Sequence, residues 1–314
     1  MAKQELKQDM SEKQILIFGI KPSRKKAKSL AMLEVKSVLS DMKEADVIDG
    51  GPLSTRSGTF MAFLPACVSA GDLMPAFGRL GYIEQVDALV KSDDLNDAKE
   101  KVKWKGGLYD LESVYKDDKE KAREQAPDRR PFLLPDSAGQ LRYVRGYRGD
   151  GTKTGRRALP VEDCRVLLNI AHLKKGQRVL DPFAGGGGIV FAARNFGLDV
   201  YSSDIDPILQ YGLADYGARH AVASVEELPF QDAFFDSVVT EAPFDKNITP
   251  VIARGLEEIV RVTTARASIV MMTSEEQAQD IRDKARQLNL MAYADVSLDR
   301  KGTSVHIFAW RKSI

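Results

Sequence analysis

Four consecutive glycines, Gly185 to Gly188, stand between a strand-like run ending in Val179-Leu180-Asp181 and an apolar run from Ile189 to Phe196. Glycine permits tight backbone turns and leaves no side chain to bar a ligand. A helix that starts just after such a loop points its free N–H groups at it. In an open α/β sheet, ligands bind at strand ends of this kind. No Gly-Lys-Ser/Thr follows the glycines, so the lysine of a triphosphate-binding loop is lacking.

The same alternation continues on both sides of the loop. Pro160 can open a helix, because its missing N–H is not needed there, and Cys164, Leu167, Leu168 and Ala171 then share one helical face. Strands are expected at 177–180, 199–202, near Ser224, at 236–240 and at 268–272. Helices are expected at 189–196, 209–216, 251–262 and 275–287, the last with Ser274 and Gln277 at capping-box spacing. Met291–Val296 and Ser304–Trp310, joined by Asp299-Arg300-Lys301-Gly302, form a closing hairpin. The pattern predicts a seven-stranded Rossmann-like sheet, parallel apart from its last hairpin, with helices on both faces.

Residues 1–90 predict a smaller α+β domain. Its strands are Gln14–Gly19, Val47–Asp49 and Thr59–Leu64, and its helices Leu30–Leu39 and Leu73–Leu80. More than half of the residues from Lys91 to Ala126 are charged, with mixed signs, which suits solvated segments. Ala126 to Gly155, rich in Pro, Gly and Arg, reads as a linker. The domains are thus expected at 1–90 and 157–314, with a charged segment and basic linker at 91–156 between them.

At 314 residues, 43% hydrophobic and 29% charged, the chain is expected to be globular. It contains no apolar run of bilayer length. Its polar first residues do not read as a secretory signal, so a cytoplasmic location is expected. Cys67 and Cys164 are too few for a disulfide framework, and the three histidines lack metal-ligand spacing, so no metal is expected. Net charge is +1, so any attraction to nucleic acid must come from local clusters.

Asp204 ends the second strand of the C-terminal half and can accept hydrogen bonds from both ribose hydroxyls of a nucleoside ligand. Four runs then fall in order: Asp181-Pro182-Phe183-Ala184-Gly185-Gly186-Gly187-Gly188, Ser203-Asp204-Ile205-Asp206-Pro207, Leu228-Pro229-Phe230, and Phe235-Asp236-Ser237-Val238-Val239-Thr240. Together they resemble the motifs of class I S-adenosylmethionine-dependent amino-methyltransferases, in particular the tRNA guanine-N2 methyltransferase family. The resemblance covers the chain from Leu159 onward and extends more weakly to the first 90 residues. It implies that Asp181, Pro182, Phe183, Ala184, Gly185 and Gly187 line the methionine part of S-adenosylmethionine. Asp204 would bind ribose, Ile205 would pack on adenine, and Ser224 and Val225 would meet the adenine edge. The family often has Asp where Ser224 stands. It also places a THUMP RNA-binding module before the catalytic domain, and residues 91–126 are too short and too charged to hold a full one.

The fourth of these strands ends in Glu241-Ala242-Pro243-Phe244, where amino-methyltransferases carry Asp/Asn/Ser-Pro-Pro-Tyr/Phe. An exocyclic amine is a poor nucleophile because its lone pair is delocalised into the ring. A side-chain acceptor and a backbone carbonyl can take its two hydrogens and aim the nitrogen at the methyl donor. Here Glu241 replaces the short acceptor and Ala242 the first proline; Pro243 remains, and Phe244 can stack on a base.

Arg142, Arg145, Arg148, Lys153, Arg156 and Arg157, interleaved with Tyr143 and Tyr147, form a basic cluster suited to phosphates and unpaired bases. Ser23-Arg24-Lys25-Lys26-Ala27-Lys28 is a second basic run. The expected substrate is RNA, in particular tRNA methylated at N2 of guanine, and a small activator subunit is a candidate partner. The alternatives are amine methylation of DNA or another RNA, and a noncatalytic RNA-binding scaffold that keeps a degenerate motif at 241–244. A dehydrogenase has no use for that motif.

Overall fold

The computed structural model describes residues 13–49, 58–68, 73, 76–89, 133–135, 141–143, 159–207, 209–210, 213, 217–300 and 302–313. The chain divides into two compact units, 1–120 and 121–314.

The first unit holds a four-stranded antiparallel sheet in the order β2-β3-β1-β4. Its strands are β1 (Lys13–Ile20), β2 (Asp46–Ile48), β3 (Thr59–Pro65) and β4 (Ile83–Leu89). Helix α1 (Lys28–Val38) lies between β1 and β2 in the chain. Ile15 and Leu16 of β1 point to opposite faces of the sheet, and both are buried, as are Phe18 and Ile20. Phe18 stacks on Phe60 at 5.3 Å between ring centroids. The buried carboxylate of Glu34 on α1 accepts from the backbone N–H groups of Gly81 (2.6 Å) and Tyr82 (3.1 Å). That bond ties the helix to the turn before β4, a strand the sequence pattern does not disclose.

Two cations of the basic run 23–28 are tied into the fold, while Lys25 and Lys26 are exposed. Pro22–Ala27 is a 3-10 turn in which Arg24 is buried, its guanidinium 5.2 Å from the Tyr82 ring centroid. Lys28 pairs with Asp49 at 2.5 Å. Within the expected linker 126–155, β5 (Leu133–Pro135) and β6 (Leu141–Tyr143) pair antiparallel. Three residues per strand and a proline are too little pattern to read as a hairpin.

The second unit is built on a seven-stranded sheet in the order β12-β13-β11-β10-β7-β8-β9. The elements, in chain order, are α2 (Val161–Ile170), β7 (Arg178–Asp181), α3 (Gly188–Asn195), β8 (Asp199–Asp204), β9 (Arg219–Val222), β10 (Phe235–Glu241), α4 (Thr249–Val262), β11 (Thr263–Ser274), α5 (Ala278–Gln287), β12 (Met291–Arg300) and β13 (Thr303–Arg311). β7 to β11 run parallel, and β13 inserts antiparallel between β11 and β12. This is the expected Rossmann-like sheet with its antiparallel hairpin.

The strand order reverses between β7 and β10. Right-handed crossovers then send α3 and α4 to opposite faces of the sheet and open a crevice at the carboxyl ends of these two strands. One face packs Leu256 and Ile259 of α4 and Ile281 of α5 on Val238, Ile269 and Phe308, all fully buried. Among the described residues no helix is long and apolar enough to cross a membrane.

Candidate cofactor pocket and reaction centre

The glycine loop is shaped by its backbone. Gly185 (φ +48°) and Gly187 (φ +81°) take left-handed conformations, and Gly187 caps α3. Gly188 is needed for a different reason. A Cβ there would stand 3.1 Å from the Leu159 carbonyl oxygen and 3.3 Å from Cys164 Sγ, so its absence lets α3 approach the start of α2. Ala184 N–H donates to the Ser203 carbonyl (3.1 Å), and Gly187 N–H to the Ala184 carbonyl (2.8 Å). Pro182 and Ala184 are buried, and Phe183 is half-buried.

Asp204 lies across from this loop. Its Oδ2 accepts from Gly185 N–H at 2.9 Å and its Oδ1 from Asp206 N–H at 3.0 Å. An ionised carboxylate offers about four acceptor sites, so each oxygen keeps one for a vicinal diol. The neighbouring Ile205 is 73% exposed, an apolar side chain open to a flat ligand such as adenine. Ser224 Oγ accepts from Glu226 N–H at 3.2 Å. The Val225 side chain is buried in the core and packed against Gly255 of α4, which leaves its backbone to meet a ligand.

Asp181, at the end of β7, is buried. Burial pushes its carboxyl up to about 7; Asp204 and Glu241 push the same way, against hydrogen bonds from Thr240 and Phe183. Thr240 Oγ1 donates to Asp181 Oδ1 at 2.7 Å, and Phe183 N–H to the same oxygen at 3.3 Å. The carboxylates of Asp181 and Asp204 suit a ligand carrying a cationic sulfonium, and the residues around the loop fit S-adenosylmethionine.

Thr240 immediately precedes the reaction-centre segment, so its bond to Asp181 fixes that segment beside the glycine loop at the carboxyl ends of the two central strands. Ala242 is buried, and its N–H donates to the Met272 carbonyl at 2.9 Å. Pro243 is exposed and Phe244 half-buried. Glu241 is not an isolated acceptor: its Oε1 accepts from Arg300 Nη1 at 3.0 Å. Burial raises its carboxyl above the usual range, and Arg300 opposes that shift.

The sequence pattern does not single out two positioning side chains. Arg300 reads there only as part of a hairpin turn. Gln277, buried at the foot of α5, reads only as a cap. Its Oε1 accepts from Ser274 N–H (3.1 Å), while its Nε2 donates to the carbonyls of Pro243 and Asp245 (3.0 Å each). One amide therefore holds the loop that follows Glu241. By contrast, Leu228-Pro229-Phe230 is structural. Leu228 N–H donates to Glu258, and Arg261 donates to the carbonyls of Leu228 and Phe230. Of the basic cluster, Arg142 lies in β6; Arg145, Arg148, Arg156 and Arg157 lie outside the described residues.

A family model described as a methyltransferase domain matches residues 180–271, from β7 into β11. That match places a methyltransferase domain in the second unit. Its cofactor is S-adenosylmethionine. The domain is 27% identical over 165 residues to a tRNA (guanine(10)-N2)-dimethyltransferase of Pyrococcus abyssi, covering 46% of this chain and 49% of that one. It is 27% identical over 135 residues to the enzyme of the same name from Methanothermobacter thermautotrophicus, covering 40% and 33%. The chain thus spans half or less of these relatives' length. The crystal structure of TrmN from Thermus thermophilus matches over 95% of this chain and 99% of that one, with a TM-score of 0.51 at 15% identity, which shows a shared fold. The methyltransferase domain thus resembles those of the tRNA guanine-N2 enzymes.

Proposed function

We propose that this chain transfers the methyl group of S-adenosylmethionine to an exocyclic amine of a nucleobase in RNA, specifically N2 of guanine in tRNA. The observation that carries this reading is the 2.7 Å bond from Thr240 to Asp181, which sets 241–244 against the glycine loop. When bound, S-adenosylmethionine supplies an electrophilic methyl on sulfur. Phe244 stacks on the target base, worth about 1–3 kcal/mol. The Ala242 carbonyl and the Glu241 carboxylate accept the two amine hydrogens and aim the nitrogen lone pair. Glu241 then takes the proton the amine loses, a role its raised carboxyl suits. Arg142 and its basic neighbours would meet RNA phosphates.

The test is transfer of labelled methyl into unmodified tRNA transcripts, with duplex DNA as control, followed by nucleoside mass spectrometry. N2-methylguanosine in tRNA is expected. Label in DNA alone would replace this reading with the DNA one. A flat calorimetric trace with S-adenosylmethionine and no transfer would leave a binding protein.

A further inference from the structure

Arg300 ends β12 and joins two carboxylates at the reaction centre. Its Nε stands 2.9 Å from Asp163 Oδ2 on α2, and its Nη1 bonds Glu241 Oε1 at 3.0 Å. Nη1 also lies 3.6 Å from Met272 Sδ. The Asp163 side chain is fully buried, and those of Arg300 and Glu241 are mostly so. Charges this deep persist only when paired. The rigid fork of a guanidinium fixes the orientation of each carboxylate it meets. Glu241 is the unusual residue of its motif, one methylene longer than Asp, and Arg300 is what holds that longer side chain in one place.

The bond to Arg300 uses Oε1, and a carboxylate has about four acceptor sites, so Glu241 keeps acceptor capacity beyond that bond. Guanine presents its amine beside a ring N1–H, two roughly parallel donors. A single carboxylate can take such a pair, as it takes the paired N–H groups of arginine. Adenine and cytosine set their amines beside a bare ring nitrogen, which a carboxylate repels. The charged groups facing Glu241 are Asp163 from α2, Asp181 from β7 and Arg300 from β12.

We propose that Arg300 is a positioning residue that holds Glu241 as a fixed, ionised acceptor for the paired N1–H and N2–H of guanine. The Ala242 carbonyl takes the second amine hydrogen. This rests on the reading of the chain as an RNA amine methyltransferase and adds what selects the base.

The test uses a synthetic RNA carrying the mapped target guanosine, and the same RNA with 2-aminopurine there. 2-Aminopurine keeps the amine and replaces N1–H with a bare nitrogen. The wild type should favour guanine by roughly 10- to 100-fold in kcat/KM, the worth of one hydrogen bond to a charged acceptor. Glu241→Gln should narrow that gap, because its amide can donate to the bare nitrogen. Arg300 holds the Glu241 carboxyl down, so Arg300→Gln should move the acid limb of the pH profile to higher pH. Arg300→Lys, which keeps the charge, should hold the limb near its wild-type position.

An unmoved acid limb in Arg300→Gln, or an undiminished gap in Glu241→Gln, overturns the proposal. Should Arg300→Gln fail to fold, the gap in Glu241→Gln decides. If the wild type methylates no RNA, the functional reading fails. Carbon-13 titration of the Glu241 carboxyl in wild type and Arg300→Gln then decides the positioning role separately: a titration moved upward supports it, and an unmoved one overturns it.

Discussion

Asp181→Asn separates what the first carboxylate of the glycine loop does for folding from what it does for binding. The carboxyl rises from 3.8 to about 7 in the folded chain. At about 1.36 kcal/mol per pH unit this is worth at most about 4 kcal/mol. The folded pKa lies above the unfolded one, so the contribution is fully present below about pH 4. It declines as pH rises, is gone above about 7, and the wild type then carries a buried charge. Asn keeps an Oδ1 acceptor for Thr240 and Phe183 and does not titrate. Urea denaturation at pH 4.5 to 8.5 should therefore show wild type losing stability relative to Asp181→Asn up to pH 7, with parallel curves above. A bound sulfonium favours the ionised carboxylate, so calorimetry should show wild-type affinity for S-adenosylmethionine tightening as pH rises through 7. The variant should bind more weakly at pH 8 and show no such tightening. Stability curves that stay parallel across the whole range would refute the burial account. Identical binding at pH 8 would refute the electrostatic one.

Gly255→Ala on α4 would place a Cβ 2.6 Å from Val225 Cγ1, and overpacking of this kind costs about 1–3 kcal/mol, more than the ~1 kcal/mol gained in helix propensity. Urea denaturation should show a net loss that an added Val225→Ala relieves. Gln277→Leu releases the carbonyls of Pro243 and Asp245, but both residues are exposed, so water can replace the lost donor. Single-turnover assays should show methyl transfer lowered more than tenfold, by the cost of a misplaced reaction loop, with calorimetric affinity for S-adenosylmethionine retained. Phe244→Ala should raise KM for RNA, by an amount corresponding to about 1–3 kcal/mol of lost stacking, and leave cofactor affinity unchanged.

The centre of the second unit's sheet is legible because β7, β10 and β11 each carry a buried apolar run. β11 is longer than its apolar run. Residues 263–267 include polar side chains that pattern alone leaves outside a strand, yet the strand pairing begins at Thr263 beside Phe235. β4 escapes the pattern because Ile83–Leu89 mixes Glu, Gln and Asp with its apolar positions. At the site, Asp181, the glycines and Asp204 are legible because they act through backbone geometry near one another in sequence. The grip of Arg300 on Glu241 is not, since 59 residues separate them and only the hairpin's register brings them together. Gln277 is recognisable as a cap, but its second use depends on where the chain passes after Pro243.

β13 follows β12 in the chain yet lies between it and β11. β12 therefore has no hydrogen-bonded neighbour in the sheet until β13 is in place. If β13 peels away, both strands leave the sheet together, and Glu241 loses the cation that bridges it to Asp163 while the glycine loop four strands away keeps its shape. Partial opening at this edge would silence methyl transfer in a molecule that still binds its cofactor, an outcome that amide exchange confined to 291–311 would reveal.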